Sequence, residues 1–209
     1  SRKWKKYKKK NSSLAKRVKD LETGKSGKEL KSHDIGFTFT NMSTTATFRL
    51  LSGIAEGDTS LQREGLVINH VSTLVKLYMS SNFSNTNAVV GRVIIFRDMA
   101  QSGSGATPVI TDLLEANDVF SLKRHEYRKR FIIDYDKTWN LSRHYSTSQW
   151  MKVPKPYYKK YKTPRKINYT GTSISVADSG DGALWMMFMS NVGTNMPSIH
   201  TETRLRFTD

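Results

Sequence analysis

The chain has 209 residues, a formal net charge of +16 and no cysteine. So basic a balance points to a polyanionic partner, nucleic acid before an anionic membrane surface, and the missing thiols exclude disulfides and thiolate metal sites. No apolar run approaches the roughly 18 residues of a membrane span, and the basic N-terminus lacks the apolar stretch of a signal peptide; a soluble protein of the cytosol or nucleus is expected.

The charge is concentrated at the start. Arg2, Lys3, Lys5, Lys6, Lys8, Lys9 and Lys10 fall in the first ten residues with no acid among them. Through Ser32, thirteen Lys and Arg face three Asp and Glu, a net +10. A block of like charge repels itself and packs poorly, so 1–10 reads as a tail that orders only on a partner. Lys and Arg bind phosphate through Coulomb attraction and counterion release, without base specificity. Trp4 and Tyr7 add rings that stack on unpaired bases. The tail is therefore expected to bind nucleic acid through Arg2, Lys3, Trp4, Lys5, Lys6, Tyr7, Lys8, Lys9 and Lys10, with Lys16 and Arg17 just beyond; a localisation signal is the other use of such a tail. A helix is predicted over about 12–23, capped by Asn11, Ser12 or Ser13 and stopped by Gly24, with Leu14, Val18 and Leu21 in one narrow apolar stripe. About ten residues cannot hold a helix alone in water, so the stripe needs a partner, either its own domain or the same helix in symmetry-related copies.

From Ile35 the hydrophobic period changes to two. Ile35, Phe37 and Phe39 alternate with polar residues; Val67, Val71, Val75 and Leu77 are expected on one strand face; Val89 to Phe96 and Ala183 to Met189 are near-continuous apolar runs, as in buried strands. Phe131, Ile133, Tyr135, Trp139 and Leu141 alternate with Asp134, Asp136, Thr138 and Asn140, which puts the two aspartates together on a solvated, salt-bridged face. Ile199, Thr201, Thr203, Leu205 and Phe207 alternate with His200, Glu202, Arg204 and Arg206. Turn signals separate these runs, and beyond the tail the one helix candidate is short, about Val109 to Glu115. Many strands without a βαβ rhythm predict an all-β antiparallel sandwich or barrel. Between them, 150–166 carries Trp150, Tyr157, Tyr158 and Tyr161 among Lys152, Lys155, Lys159, Lys160, Lys162, Arg165 and Lys166, with three of the five prolines. It is expected to be a long irregular excursion that lines nucleic acid, forms a subunit contact or faces solvent.

Enzymatic signatures are weak. Gly24-Lys25-Ser26 resembles the end of a phosphate loop but follows a helix, with Lys19 where the leading glycine belongs. The Gly103/Gly105 loop has no following lysine, and His33, His70, His125, His144 and His200 show no metal-ligand spacing.

Four stretches in order carry a resemblance: Arg49 to Asn69, Gly91 to Ala116 (with Phe96-Arg97-Asp98, a glycine loop, then Thr107-Pro108-Val109), Arg124 to Ser142, and the ending from Gly182 through Phe207-Thr208-Asp209. They resemble the coat proteins of the satellite tobacco necrosis virus family, and the same pattern occurs in coat proteins of circular single-stranded DNA viruses that encode a replication initiator. The resemblance implies an eight-stranded antiparallel jelly roll over 33–209, preceded by a basic arm over 1–32. It further implies a T=1 virion of sixty identical subunits, arms facing inward on a single-stranded genome, and Leu14, Val18 and Leu21 seaming arm helices at threefold axes. Sixty arms bring about 600 positive charges, enough to neutralise much of a kilobase-scale strand. The satellite members suggest RNA; the aromatic-interleaved lysines and the loops match the DNA-virus members, and DNA is the genome favoured here. The family also holds calcium between subunits, to which the resemblance assigns Asp209 and, out of clear register, Glu29, while Leu66 stands where the family has a loop aspartate. No enzyme activity and no membrane partner are expected, and the host receptor stays open. The competing expectation is a non-viral nucleic-acid-binding protein with a basic tail on a β-sandwich, which would run as a monomer or dimer.

Overall fold

Alternating residues on an extended strand point to opposite faces, and this chain folds that alternation into two antiparallel sheets. The computed structural model describes residues 29–81, 88–101, 106–141 and 151–209. In chain order these form β1 (Lys31–Phe39), β2 (Thr47–Leu50), β3 (Val67–Ser80), β4 (Val90–Asp98), the one-turn helix α1 (Ile110–Leu113), β5 (Phe131–Asn140), the two-residue β6 (Met151–Lys152), β7 (Tyr157–Asn168), a 3₁₀ turn at Val176–Asp178, β8 (Ala183–Ser190) and β9 (Ser198–Thr208). One sheet runs β1-β9-β3, with β7 and β6 both pairing along the far side of β3; the other runs β2-β8-β4-β5. Every strand pair is antiparallel. The predicted arm helix, its stripe of Leu14, Val18 and Leu21, and the Gly24 and Gly103/Gly105 segments lie outside the described residues. β1 begins at Lys31, inside the range that composition assigned to the arm.

The sheets enclose a core of Val75, Leu77, Met79, Val93, Ile95, Leu184, Met186, Phe188, Ile199 and Leu205, with Phe37 and Phe39 packed against it. The intervening residues of β4 and β8 are buried too. Ile94, Phe96, Trp185, Met187 and Met189 form a second core with Leu113, Leu114, Val119 and Phe131. The chain from α1 to β5 thus covers the outer face of the four-stranded sheet, which is why β4 and β8 read as unbroken apolar runs. α1 is shorter than the sequence suggests, because Leu114 turns extended and bridges Lys123.

Three expectations fail for identifiable reasons. Segment 157–168 is a strand, not an irregular excursion. Its proline misleads because among the described residues β7 pairs on one side only and its register slips between Lys160 and Arg165, where Pro164 owes no ladder hydrogen bond. Asp134 and Asp136 do not share a face: β4 pairs Phe96 with Ile133 and Ile95 with Tyr135, leaving Asp134 as the extra residue of a β-bulge. Asp134 enters the space between the sheets, its side chain 3% exposed, while Asp136 meets Arg92 and Lys123 on the outer side. Val71 is the corresponding extra residue of β3, so Val67 is exposed while Val75 and Leu77 are buried.

Candidate nucleic-acid interface

β7 carries the sequence Tyr157-Tyr158-Lys159-Lys160-Tyr161-Lys162, and the strand sorts it by parity. Tyr158, Lys160 and Lys162 are exposed, whereas Tyr157, Lys159 and Tyr161 turn inward. Strand register extends the outer set across the sheet. Tyr158 lies opposite Leu74, and Leu74 opposite Arg204. Lys160 lies opposite Ser72, and Ser72 opposite Arg206. Glu202 and Lys76 pair one step further along, then His200 and Tyr78. The exposed face therefore gathers Lys76, Lys160, Lys162, Arg204 and Arg206 against two carboxylates, Asp34 and Glu202.

Those carboxylates sit toward the β1 edge. Arg204 donates two hydrogen bonds to Asp34, from Nε at 2.7 Å and from Nη2, an interaction that holds the Asp34 carboxyl below its ordinary pKa. Glu202 lies over Gly36, where a Cβ would meet its Oε1 at 2.7 Å. Lys76, Lys160 and Lys162 dominate the β3–β7 side, beside Tyr158 (59% exposed) and Tyr78, whose ring stacks on His200 at 4.9 Å. Cations with exposed rings supply both elements of single-strand binding, phosphate attraction and base stacking.

The inward residues fix β7 to the opposite sheet. Asp134 accepts from Lys159 Nζ, from Tyr161 Oη at 2.7 Å and from Arg97 Nε at 3.3 Å. Burial pushes the Asp134 carboxyl up, but the Lys159 and Tyr161 hydrogen bonds and the Arg97 charge outweigh it and hold it below the usual range. The Arg97 guanidinium lies 4.6 Å from the Tyr161 ring centroid and donates from Nη2 to His70 Nδ1 at 2.7 Å.

The residues singled out from sequence are distributed unevenly. The tail cations with Trp4 and Tyr7 lie outside the described residues. Asp209 lies beside Lys31 and Glu64, not Glu29, which is exposed ahead of β1. Calcium takes six to eight oxygen ligands. Among the described residues no group of three or more Asp, Glu, His or Cys side chains could hold a metal ion, and the two carboxylates at this corner already hold a lysine ammonium. Within one subunit the described side chains do not make up a calcium site. Sequence reasoning missed the Lys76–Arg204–Arg206 face; its signal was the alternation of β9, which puts His200, Glu202, Arg204 and Arg206 on one side.

The satellite tobacco necrosis virus coat protein family matches this chain from residue 1 to residue 209. The chain belongs to that family. A relative, the coat protein of Maize white line mosaic satellite virus, is 25% identical over 165 residues, covering 75% of this chain and 69% of that protein. Among solved structures, a chain from Desmodium yellow mottle tymovirus aligns over 87% of this chain and 89% of its own length, at 8% identity and a TM-score of 0.34. Membership in the satellite tobacco necrosis virus coat protein family makes this a structural protein of a virion and resolves the choice between a viral coat and a cellular binding protein. No helix of the described residues is long and apolar enough to cross a membrane.

Proposed function

We propose that this coat protein closes into a T=1 shell of sixty subunits around a single-stranded genome, held by the basic arm that composition assigned to 1–32 and that gives way to β1 at Lys31. The observation that carries this reading is the family match running through the arm as well as the sheets. Strand order supports the finer fold. Without the two-residue β6, the sheets are β1-β9-β3-β7 and β2-β8-β4-β5, an order compatible with the double Greek key of a jelly roll. Leu14, Val18 and Leu21 then seam arm helices at threefold axes, and the exposed β3–β7–β9 face adds a second contact with the polyanion. Lysine and stacking contacts serve DNA and RNA alike, so the packaging assay measures both.

Expression followed by size-exclusion chromatography, negative-stain microscopy and the 260/280 absorbance ratio tests the shell: uniform closed particles carrying nuclease-digestible nucleic acid are expected. A folded monomer or dimer that binds oligonucleotides and never assembles would sink the reading. For the sheet face, Lys160→Gln combined with Lys162→Gln is expected to reduce the slope of log affinity against log salt by about 1.4, since each single-strand phosphate contact contributes roughly 0.7. Fluorescence anisotropy on a single-stranded oligonucleotide reads the slope, and an unchanged slope removes this face from the interface.

A further inference from the structure

Lys31 opens β1 with its side chain only 2% exposed, and its Nζ lies 2.6 Å from Glu64 Oε1 and 2.8 Å from Asp209 Oδ2. The other carboxylate oxygen of Asp209 accepts the Glu64 backbone N–H at 3.0 Å. Three segments distant in sequence meet here: the start of β1, the loop ahead of β3 and the residue after β9. A buried ammonium persists only where paired charge and hydrogen bonds offset its desolvation, and two carboxylates supply that here. The position between Glu64 and Asp209 is filled by a group covalently part of the chain.

We propose that Lys31 is a built-in cation, its ammonium standing between Glu64 and Asp209 where a divalent ion would otherwise bind. The chain therefore closes this corner without metal. A divalent ion entering the same space would have to displace the Lys31 ammonium, and among the described residues no group of three or more carboxylate, imidazole or thiol side chains stands ready to hold it. Leu66, half exposed at the end of the same loop, adds no side-chain oxygen. In a shell built as proposed above, particles then survive chelation. That extension rests on the shell reading, whereas the clasp lies within one subunit and is measured without assembly.

The test is thermal unfolding of the dissociated full chain in calcium chloride and in EGTA, with terbium luminescence as a direct probe of ion binding. The expected result is one Tm in both solutions and no luminescence gain; a Tm that rises with calcium and falls with EGTA would overturn the proposal. Lys31→Met is expected to lower Tm clearly in either solution, and an unchanged Tm would also overturn it. Should Lys31→Met fail to fold, Asp209→Asn, at a side chain more exposed than Lys31, replaces it, with the same lowered Tm expected and the same overturning outcome.

Discussion

Asp134→Asn is expected to lower unfolding free energy by about 3 kcal/mol or more, because removing one partner of a buried ion pair leaves the other charge uncompensated. Asn keeps the size of Asp134, so the loss reports charge and not a cavity. Lys159, 40% exposed at its side chain, can turn to water; Arg97, 2% exposed, cannot. Its remaining partners are the neutral His70 ring and the Tyr161 face. Urea unfolding at pH 7 measures the effect. Asp136→Asn is the control: Asp136 pairs with Arg92 through two hydrogen bonds at 2.9 and 2.8 Å but is 14% exposed and shares the outer side with Lys123, so a smaller loss is expected. A loss under about 1 kcal/mol at Asp134 would place that pair in the class of solvated surface bridges.

Stability should also fall between pH 7 and pH 5, with His70 the main contributor. Burial and the neighbouring Arg97 charge lower its pKa from 6.5 to about 3. Geometry fixes the tautomer. Arg97 Nη2 can only donate, so His70 Nδ1 accepts and Nε2 carries the proton, 2.9 Å from the Ser72 carbonyl oxygen. Protonating Nδ1 would set a donor against a guanidinium. The unfolded chain takes up this proton near pH 6.5 and the folded chain near 3, so the unfolded state binds more protons across that window and stability drops as pH falls through it. At pH 5 the loss is about 2 kcal/mol. His33, lowered by burial, acts in the same direction. His70→Asn keeps an acceptor for Arg97 and cannot titrate. It should be less stable than the parent at pH 7 and lose less between pH 7 and pH 5; equal pH dependence of the two proteins would assign the effect elsewhere.

How much of this was legible depended on whether a strand kept its period. β9 did, and its buried Ile199, Thr201, Thr203, Leu205 and Phe207 are the residues its alternation marks. β4 and β8 were visible as apolar runs because both their faces are covered. β3 and β5 misled, since one extra residue at Val71 and at Asp134 transfers the pattern to the opposite face. For the candidate site, sequence drew the eye to the lysine tail, while Lys76, Arg204 and Arg206 are ordinary residues in three separate stretches that only strand register brings together. Asp209 drew attention as a cation ligand, and the cation beside it is Lys31, which nothing local marks as different from the other lysines near it.

β7 leaves one side of its backbone without a neighbouring strand among the described residues. Such an edge invites zipping onto another sheet and growth into fibres, a hazard that rises when many copies are crowded together. Lys160, Lys162 and Pro164 oppose it, by repulsion and by a missing N–H. The two lysines are the same groups a polyanion neutralises. Wherever that happens, the edge keeps only its proline and its register slip as protection, so solubility of this chain is tied to how completely its charge is matched, and an excess of short polyanions should make it aggregate.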